Sequence, residues 1–209
     1  MIILSHRGYW KTAAEKNTPA AFRRSFDLGF GTETDVRDRN GELVISHDMP
    51  NGSEITLAAM LDLLGGRDLP LAINIKADGL ARLLNEQMTA RGLTRWFTFD
   101  MSVPEMVVQL RLGLPVFSRA SEYEEPPARY ADALGIWLDA FTSQWYDVSK
   151  ISGFLRDGKR VCIVSPELHG RDPKPLWAQL KPSEVSHHPA LMLCTDMPED
   201  AADWFGGKR

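Results

Sequence analysis

Four groups of polar residues within the first 80 positions have side chains suited to proton transfer and metal binding. The groups are His6-Arg7, the pair Glu33 and Asp35, His47-Asp48, and the pair Asn74 and Lys76. Histidine titrates near neutral pH and therefore serves as a general acid or base. Carboxylate and amide oxygens are the ligands that Mg²⁺ and Ca²⁺ prefer. Taken singly, such residues more often belong to a solvated face or a core, so their function depends on what brings them together.

The pair Glu33 and Asp35 is the clearest candidate for a metal site. One position separates the two residues on a predicted strand, so their side chains project from the same face. Strands of a parallel sheet are covered on both faces, and burying two neighbouring carboxylates without compensation is costly. A divalent cation compensates for this cost, and Asn74 offers a third oxygen from a neighbouring predicted strand. We therefore expect Glu33, Asp35 and Asn74 to bind Mg²⁺ or Ca²⁺.

The elements that must position these residues alternate between short apolar runs and helical segments. Eight apolar runs end in polar or charged residues: Ile2–Leu4, Thr32–Val36, Leu71–Ile75, Trp96–Phe99, Val116–Phe117, Ile136–Leu138, Val161–Val164 and Leu191–Cys194. Helices are predicted between them at Pro19–Leu28, Leu57–Leu64, Gly79–Ala90, Pro104–Leu112, Val148–Arg156 and Pro198–Phe205. This alternation is typical of a parallel α/β sheet, and eight such units predict a small TIM (β/α)8 barrel. An open doubly wound sheet is the alternative.

The predicted strand Thr32–Val36 is followed by a hairpin signal. Asn40-Gly41 favours a tight turn, so the segment Leu43–His47 is expected to return beside that strand instead of starting a new βα unit. In a TIM barrel the active site lies where the parallel strands end. The barrel prediction therefore places all four polar groups on one rim.

Length and composition limit the class of protein. The chain has 209 residues, 24 Lys and Arg, 28 Asp and Glu, and a formal charge of −4, so one domain over residues 1–209 is expected. The absence of a basic stripe argues against nucleic acid as a partner. No run approaches the roughly 20 apolar residues of a membrane helix, and no signal peptide is visible, which predicts a cytoplasmic protein without membrane insertion.

Cys162 and Cys194 lie in apolar runs and are expected to be buried free thiols. The oligomeric state is not predicted.

Several segments resemble the glycerophosphodiester phosphodiesterase family, which belongs to the superfamily of phosphatidylinositol-specific phospholipase C. They are SHRGYW (5–10), EKNTPAAFRRSFDLGFG (15–31), ETDVR (33–37), NGELVISHD (40–48) and LAINIK (71–76), with weaker similarity at 97–100 and 193–198. The resemblance implies that His6 and His47 form a general acid–base pair. It further implies the ligands of the ion and of the phosphate: Glu33 and Asp35 for the divalent cation, Arg7 and Lys76 for the phosphate.

The chemistry of a phosphodiester explains why these residue types are needed. The ester is anionic and repels a nucleophile until positive charge neutralises its non-bridging oxygens. One group must then accept a proton from the attacking hydroxyl or water, and another must donate a proton to the departing alkoxide. The expected substrate is a glycerophosphodiester-like or glycan-linked phosphodiester. Its cleavage proceeds either by direct hydrolysis or through a cyclic phosphate, and the sequence does not decide between the two.

Two features depart from the family pattern. The family usually has a carboxylate at the position of Asn74, so the metal site loses one negative charge and weaker metal affinity is expected. The longer segment that carries glycerol-recognition residues in the family is missing here, because only Met49–Ile73 intervene after His47-Asp48. Glycerol specificity is therefore not implied.

Two other functions are compatible with the residues. The loss of a carboxylate at Asn74 and the shortened segment would suit a catalytically degenerate barrel that binds phosphorylated ligands without turnover. A barrel metalloenzyme acting on non-phosphate substrates would need a catalytic Lys or His opposite the metal on the late strands, which the sequence does not clearly supply. Polar residues do follow the later predicted strands, without an assigned role: Arg119, Glu122, Asp139, Glu167 and His169.

Overall fold

The computed structural model of the chain describes residues 1–206. Within that range the strands are β1 (Ile2–His6), β2 (Gly31–Arg39), β3 (Glu42–Ile45), β4 (Leu71–Ile75), β5 (Trp96–Phe99), β6 (Phe117–Ala120), β7 (Gly135–Leu138), β8 (Arg160–Val164) and β9 (Leu191–Thr195). The α-helices are α1 (Pro19–Asp27), α2 (Leu57–Leu64), α3 (Ala81–Ala90), α4 (Val103–Arg111), α5 (Val148–Arg156), α6 (Lys174–Leu180) and α7 (Pro198–Phe205).

Eight of the strands form a parallel barrel. Their order is β5-β4-β2-β1-β9-β8-β7-β6. The ring closes between β5 and β6 through a single parallel bridge from Thr98 to Val116. There the Thr98 N–H donates to the Pro115 carbonyl oxygen over 2.9 Å. The predicted small TIM-like α/β barrel is confirmed, and the sheet is not an open doubly wound one.

The ninth strand, β3, is the predicted return strand. Asn40 and Gly41 take the positive φ angles of 51° and 84° that a tight hairpin turn needs. β3 then runs antiparallel to β2, with Val36 opposite Ile45 and Arg39 opposite Glu42. β3 lies outside the ring, and on its other side Val44 forms an isolated antiparallel bridge with Thr56.

The helices follow the predicted pattern with two differences. α2, α5 and α7 have the predicted bounds, and the other predicted helices differ by one or two residues at their ends. α6 was not predicted, because it has only seven residues and Pro173 and Pro175 at its start indicate a loop. No α-helix joins β6 to β7, where residues 121–134 form a loop. No helix among residues 1–206 is both long enough and apolar enough to cross a lipid bilayer.

The barrel interior is filled mainly by aromatic and sulfur-containing side chains. Phe97 stacks on Phe117 and Phe99 stacks on Trp137, each pair with ring centroids 3.7 Å apart. These rings belong to one buried cluster with both cysteines. The cysteines are free thiols, as predicted, and burial raises their pKa values well above the ordinary range. The filled interior leaves the rim of the barrel as the place for polar side chains.

Candidate active site

Strand pairing places the predicted site residues in line at the end of the parallel strands. His6 ends β1 and lies opposite Glu33 in β2. Asp35, two residues further along β2, lies opposite Asn74 in β4. Lys76 follows β4 directly. The carboxyl ends of three adjacent strands thus bring together residues that are up to 70 positions apart in the chain.

His6 is held by a carboxylate that sequence reasoning did not assign to the site. Its Nδ1 lies 2.7 Å from Oδ1 of Asp196, just after β9, and its Nε2 lies 4.0 Å from Oε2 of Glu33. Because Asp196 accepts from Nδ1, the Nε2 lone pair faces the site. Burial lowers the pKa of His6, and the hydrogen bond and charge of Asp196 partly offset that effect. The buried imidazole is therefore fixed in both orientation and tautomer.

Arg7 turns the chain sharply after β1. Its φ of 59° is unusual for a residue with a side chain. In this conformation its N–H donates to both the backbone carbonyl (3.0 Å) and the carboxyl Oε2 (3.2 Å) of Glu33. Gly8 must follow, because a Cβ there would lie 2.8 Å from the Cβ of Ala21. The turn directs the guanidinium to Asp35, with Nε 2.9 Å from Oδ2.

The two carboxylates of β2 are buried and surrounded by positive and polar groups. Glu33 and Asp35 are 2% and 0% exposed. Asp35 accepts from Asn17 Nδ2 over 2.9 Å, and Lys76 Nζ lies 3.4 Å from its Oδ1. Burial, together with the charge of Asp35, raises the pKa of Glu33 well above its ordinary value. Arg7 and Lys76 therefore supply part of the positive charge that compensates these carboxylates, and the predicted divalent cation stays a prediction.

The oxygens that remain suit a hard cation. Oδ1 of Asp35 and Oδ1 of Asn74 are both buried without a hydrogen-bond partner. The Asn74 amide is oriented by Asp100, whose Oδ2 accepts from Asn74 Nδ2 over 3.3 Å. Among residues 1–206, no three His, Cys, Asp or Glu side chains are grouped closely enough to hold a metal ion. Any cation site here therefore consists of Glu33, Asp35 and the amide oxygen of Asn74.

His47 lies in a more open position than His6. It follows β3, its side chain is 45% exposed, and its Nδ1 lies 2.9 Å from Oδ1 of Asp48. The hydrogen bond from His47 lowers the pKa of Asp48. The N–H of Ser46 donates to the Asp35 carbonyl oxygen over 3.0 Å, so His47 follows a residue that is bonded to β2. Within the described residues, no hydrogen bond or ion pair joins His47 to the other predicted site residues.

Further charged residues occupy the next part of the rim. Asp100 follows β5, has a φ of 63°, and accepts from Nη1 of Arg119 in β6 over 3.0 Å. Burial raises the pKa of Asp100, while Arg119 and Lys76 counteract this. Asp139 follows β7 and its Oδ1 lies 2.7 Å from Nε2 of His169. The sequence singled out Arg119, Asp139 and His169 as strand-end residues, whereas Asp100 was known only as part of a family-like segment.

Comparison with solved structures confirms the resemblance at the level of the fold. A candidate glycerophosphodiester phosphodiesterase from Galdieria sulphuraria matches with a TM-score of 0.75 and 16% identity, over 98% of this chain and 97% of that chain. Glycerophosphodiester phosphodiesterase from Agrobacterium tumefaciens strain C58 matches with a TM-score of 0.71 and 17% identity, over 99% and 100%. An Oleispira antarctica phosphodiesterase, solved with the product sn-glycerol-3-phosphate, matches with a TM-score of 0.69 and 15% identity, over 99% and 97%. No family model matches the sequence, and no curated protein matches it.

Proposed function

We propose that the protein is a metal-dependent phosphodiesterase that cleaves a small phosphodiester at the rim formed by β1, β2 and β4. The observation that carries the proposal is the convergence of a histidine and two cations on the buried carboxylates of β2: His6 lies 4.0 Å from Glu33, and Arg7 and Lys76 lie 2.9 Å and 3.4 Å from Asp35. Such a site combines a proton-transfer group with preorganised positive charge, which phosphodiester cleavage requires. The shared fold of named phosphodiesterases supports the same function.

Each residue has a defined role in this proposal. Arg7 and Lys76 bind the non-bridging phosphate oxygens and neutralise their charge. His6 accepts a proton at Nε2 from the attacking water or neighbouring hydroxyl, since its Nδ1 is committed to Asp196. His47, on the open side of the rim, donates a proton to the departing alkoxide. A divalent cation, Mg²⁺ or Ca²⁺, would be held by Glu33, Asp35 and Asn74 and would add Lewis-acid stabilisation of the anionic transition state.

The proposed substrate is a glycerophosphodiester-like or glycan-linked phosphodiester. The names of the structural neighbours and the sn-glycerol-3-phosphate bound to one of them support this class. The choice between direct hydrolysis and a cyclic phosphate depends on whether a substrate hydroxyl lies next to the phosphate. Phosphorus NMR of the products distinguishes these routes, because a cyclic phosphate has its own resonance.

A phosphate-ligand-binding barrel without turnover is the second candidate. It is favoured by Asn74, which replaces a charged ligand with a neutral one, and by the half-exposed position of His47. Against it, the chain retains both histidines and both carboxylates of β2. The two candidates differ in whether any diester is cleaved.

The deciding experiment is a diesterase assay with Mg²⁺ or Ca²⁺, with and without EDTA. Bis(p-nitrophenyl) phosphate and glycerophosphodiesters serve as substrates for the wild type and for His6→Ala and His47→Ala. His187→Ala, in the exposed connection before β9, is the matched control. We expect metal-dependent cleavage that both active-site variants lose and the control keeps. Phosphate binding without cleavage by the folded wild type would support the non-catalytic barrel instead.

A further inference from the structure

The rim residues on β5, β6 and β7 are not used by the proposed phosphate chemistry. Asp100, Arg119 and Asp139 lie at the ends of these consecutive strands, and His169 follows β8. We call these four residues the rim arc. Strands β4 and β5 are hydrogen-bonded neighbours, so the arc begins directly beside Asn74 and Lys76. A group bound along it would lie next to a phosphate held by Arg7 and Lys76.

Hydrogen bonds connect the rim arc to the phosphate site. Asn74 Nδ2 donates to Asp100 Oδ2 over 3.3 Å, and Arg119 Nη1 donates to Asp100 Oδ1 over 3.0 Å. Arg119 also donates to Glu124 Oε1 through Nη2 over 3.0 Å. Asp100 has a positive φ of 63°, a backbone conformation that is uncommon for residues with a side chain and that clusters at functional sites. The arc is thus a preorganised row of donors and acceptors.

A cavity of about 350 Å³ opens beside Asp100 and Arg119, the part of the rim arc nearest to Asn74. Its walls combine charged and apolar side chains: Asp100, Met101, Val103, Met106, Arg119 and Tyr123. This volume lies at the lower end of the range for small-molecule sites. Tyr123 is 70% exposed, which is unusual for a large aromatic side chain, and it packs beside Phe141 with ring centroids 6.1 Å apart.

The loop that joins β6 to β7 forms one wall of the cavity, from Tyr123 to Ala128. Glu122 fastens this loop by accepting from the N–H groups of Phe141 (3.1 Å) and Thr142 (2.6 Å). Burial alone would raise the pKa of Glu122, but the hydrogen bonds from Thr142 and Phe141 outweigh it and lower the pKa to about 2. The loop is therefore an ordered wall that presents Tyr123 to the cavity.

We propose that the rim arc and this cavity bind the alcohol part of the diester and select an uncharged, polyhydroxylated alcohol such as a sugar or a cyclitol. This inference rests on the proposed phosphodiesterase function. Carboxylates only accept and guanidinium groups only donate, whereas a hydroxyl does both, so neighbouring hydroxyls can pair with Asp100 and Arg119 together. The apolar C–H face of a polyol ring would pack on Tyr123 and Met101.

Charge pairing disfavours a cationic alcohol at this position. Asp100 and Glu124 are both paired with Arg119, so an incoming ammonium would find carboxylates that already have a cationic partner. Asp139 is likewise paired, with His169. A purely apolar alcohol would displace water from the Asp100–Arg119 pair without offering hydrogen bonds to the remaining acceptor positions of the carboxylate, which is costly.

The test uses p-nitrophenyl phosphodiesters that differ only in the second alcohol: glycerol, inositol, ethanolamine or butanol. All release the same chromophore, so differences in kcat/KM report the alcohol alone. The wild type is expected to prefer the inositol and glycerol esters over the butanol ester by at least about tenfold. Asp100→Asn and Arg119→Gln should lower kcat/KM for the polyol esters by about 10- to 100-fold, and by less than about threefold for the butanol ester. Tyr123→Ser, at an exposed position that folding tolerates, should lower it about 2- to 10-fold for inositol.

Arg95→Gln and Asp68→Asn are the matched controls, because this pair joins two surface residues before β4 and β5, at the opposite end of the barrel. They should leave all four esters unchanged. Equal use of the four alcohols by the wild type, preference for ethanolamine, or an equal loss on all esters in the arc variants would overturn the inference while the diesterase function stands. Failure of the folded wild type to cleave any ester would overturn both.

Discussion

The two histidines of the proposed acid–base pair differ sharply in their surroundings. His6 is 15% exposed and bonded to Asp196, which is 17% exposed, whereas His47 is 45% exposed and bonded to Asp48, which is 93% exposed. A carboxylate partner that is largely shielded from water fixes the tautomer of an imidazole, while water competes with an exposed one. We infer that Asp196 is a positioning residue for His6 and that Asp48 has a smaller influence on His47.

Asp196→Asn should reduce kcat by about 100-fold, because the amide no longer holds the Nδ1–H tautomer of His6. The pKa of His6 should also fall, since Asp196 raises it against the effect of burial. Nitrogen-15 NMR of the imidazole measures both the tautomer and the pKa. Asp48→Asn is the matched control, with a much smaller effect on kcat. An unchanged His6 tautomer in Asp196→Asn would contradict this role.

Asn74→Glu should strengthen binding of Mg²⁺ or Ca²⁺ by about tenfold, because it restores a charged ligand beside Glu33 and Asp35. Isothermal titration calorimetry on the metal-free protein measures this without an activity assay. Asn74→Gln, which keeps the amide, is the control and should not bind more tightly than the wild type. If Asn74→Glu bound no more tightly, position 74 would not be a ligand.

Strand-end patterns located the candidate residues better than their hydrogen-bond partners. Three of the four polar groups lie side by side on β1, β2 and β4, and their function as an active site stays a prediction. The pairing of His6 with Asp196 joins residues 190 positions apart, and no local pattern encodes it. Asp100 was not assigned to the site for a related reason, since its interest lies in its hydrogen bonds to Asn74 and Arg119, which belong to other strands.

At the scale of elements, the loop between β6 and β7 depends on one carboxylate. Glu122→Gln should lower the free energy of unfolding by about 1 kcal/mol at pH 7, because charged hydrogen bonds at a partly exposed site are lost. The pKa of Glu122 is lowered from its ordinary 4.5 to about 2 in the folded protein. Its contribution is therefore complete above pH 4.5 and declines as the pH falls toward 2.

Urea unfolding of the wild type and Glu122→Gln at neutral and acidic pH measures this difference. Glu42→Gln, an exposed residue of β3, is the control. If the difference in unfolding free energy between Glu122→Gln and the wild type stayed the same in acid, another residue would have to anchor the loop.

Two glycines should respond in opposite ways to alanine. At Gly135, which begins β7, a Cβ would lie 2.6 Å from the Arg160 carbonyl oxygen and 2.5 Å from Phe117 Cζ. Gly135→Ala should therefore cost about 2 kcal/mol or more. Gly153, within α5, has its nearest neighbour 4.0 Å away, at the end of the flexible Arg156 side chain. Gly153→Ala should stabilise by about 0.5 kcal/mol, and thermal unfolding of the pair measures both.

Most elements were predictable from periodicity, and the exceptions have physical causes. The return strand β3 was foreseen because Asn40-Gly41 specifies a tight turn chemically. α6 was missed because its prolines resemble those of a loop, although proline is tolerated in the first turn of a helix.

At the scale of the whole molecule, the barrel has one weak seam. β5 and β6 share a single bridge, whereas β4 pairs along its length with both β2 and β5. The Thr98 amide, which crosses the seam, should exchange its hydrogen faster than the amides of β4, because opening there breaks fewer backbone hydrogen bonds. Hydrogen-exchange NMR measures the rates residue by residue. Equal protection at the seam and in β4 would show that the barrel opens only as one unit.

The helix-free connection between β6 and β7 also affects how such a protein changes over evolutionary time. A helix at that position would pack on the outside of the sheet, and new insertions would disturb that packing. Here the start of the segment is fastened by side chains, with Glu122 bound to the N–H of Thr142 and Glu124 bound to Arg119, so the residues after Glu124 can lengthen or be exchanged while the strands keep their register. Selection for a different alcohol would act on this stretch first and would leave β1, β2 and β4 unaltered.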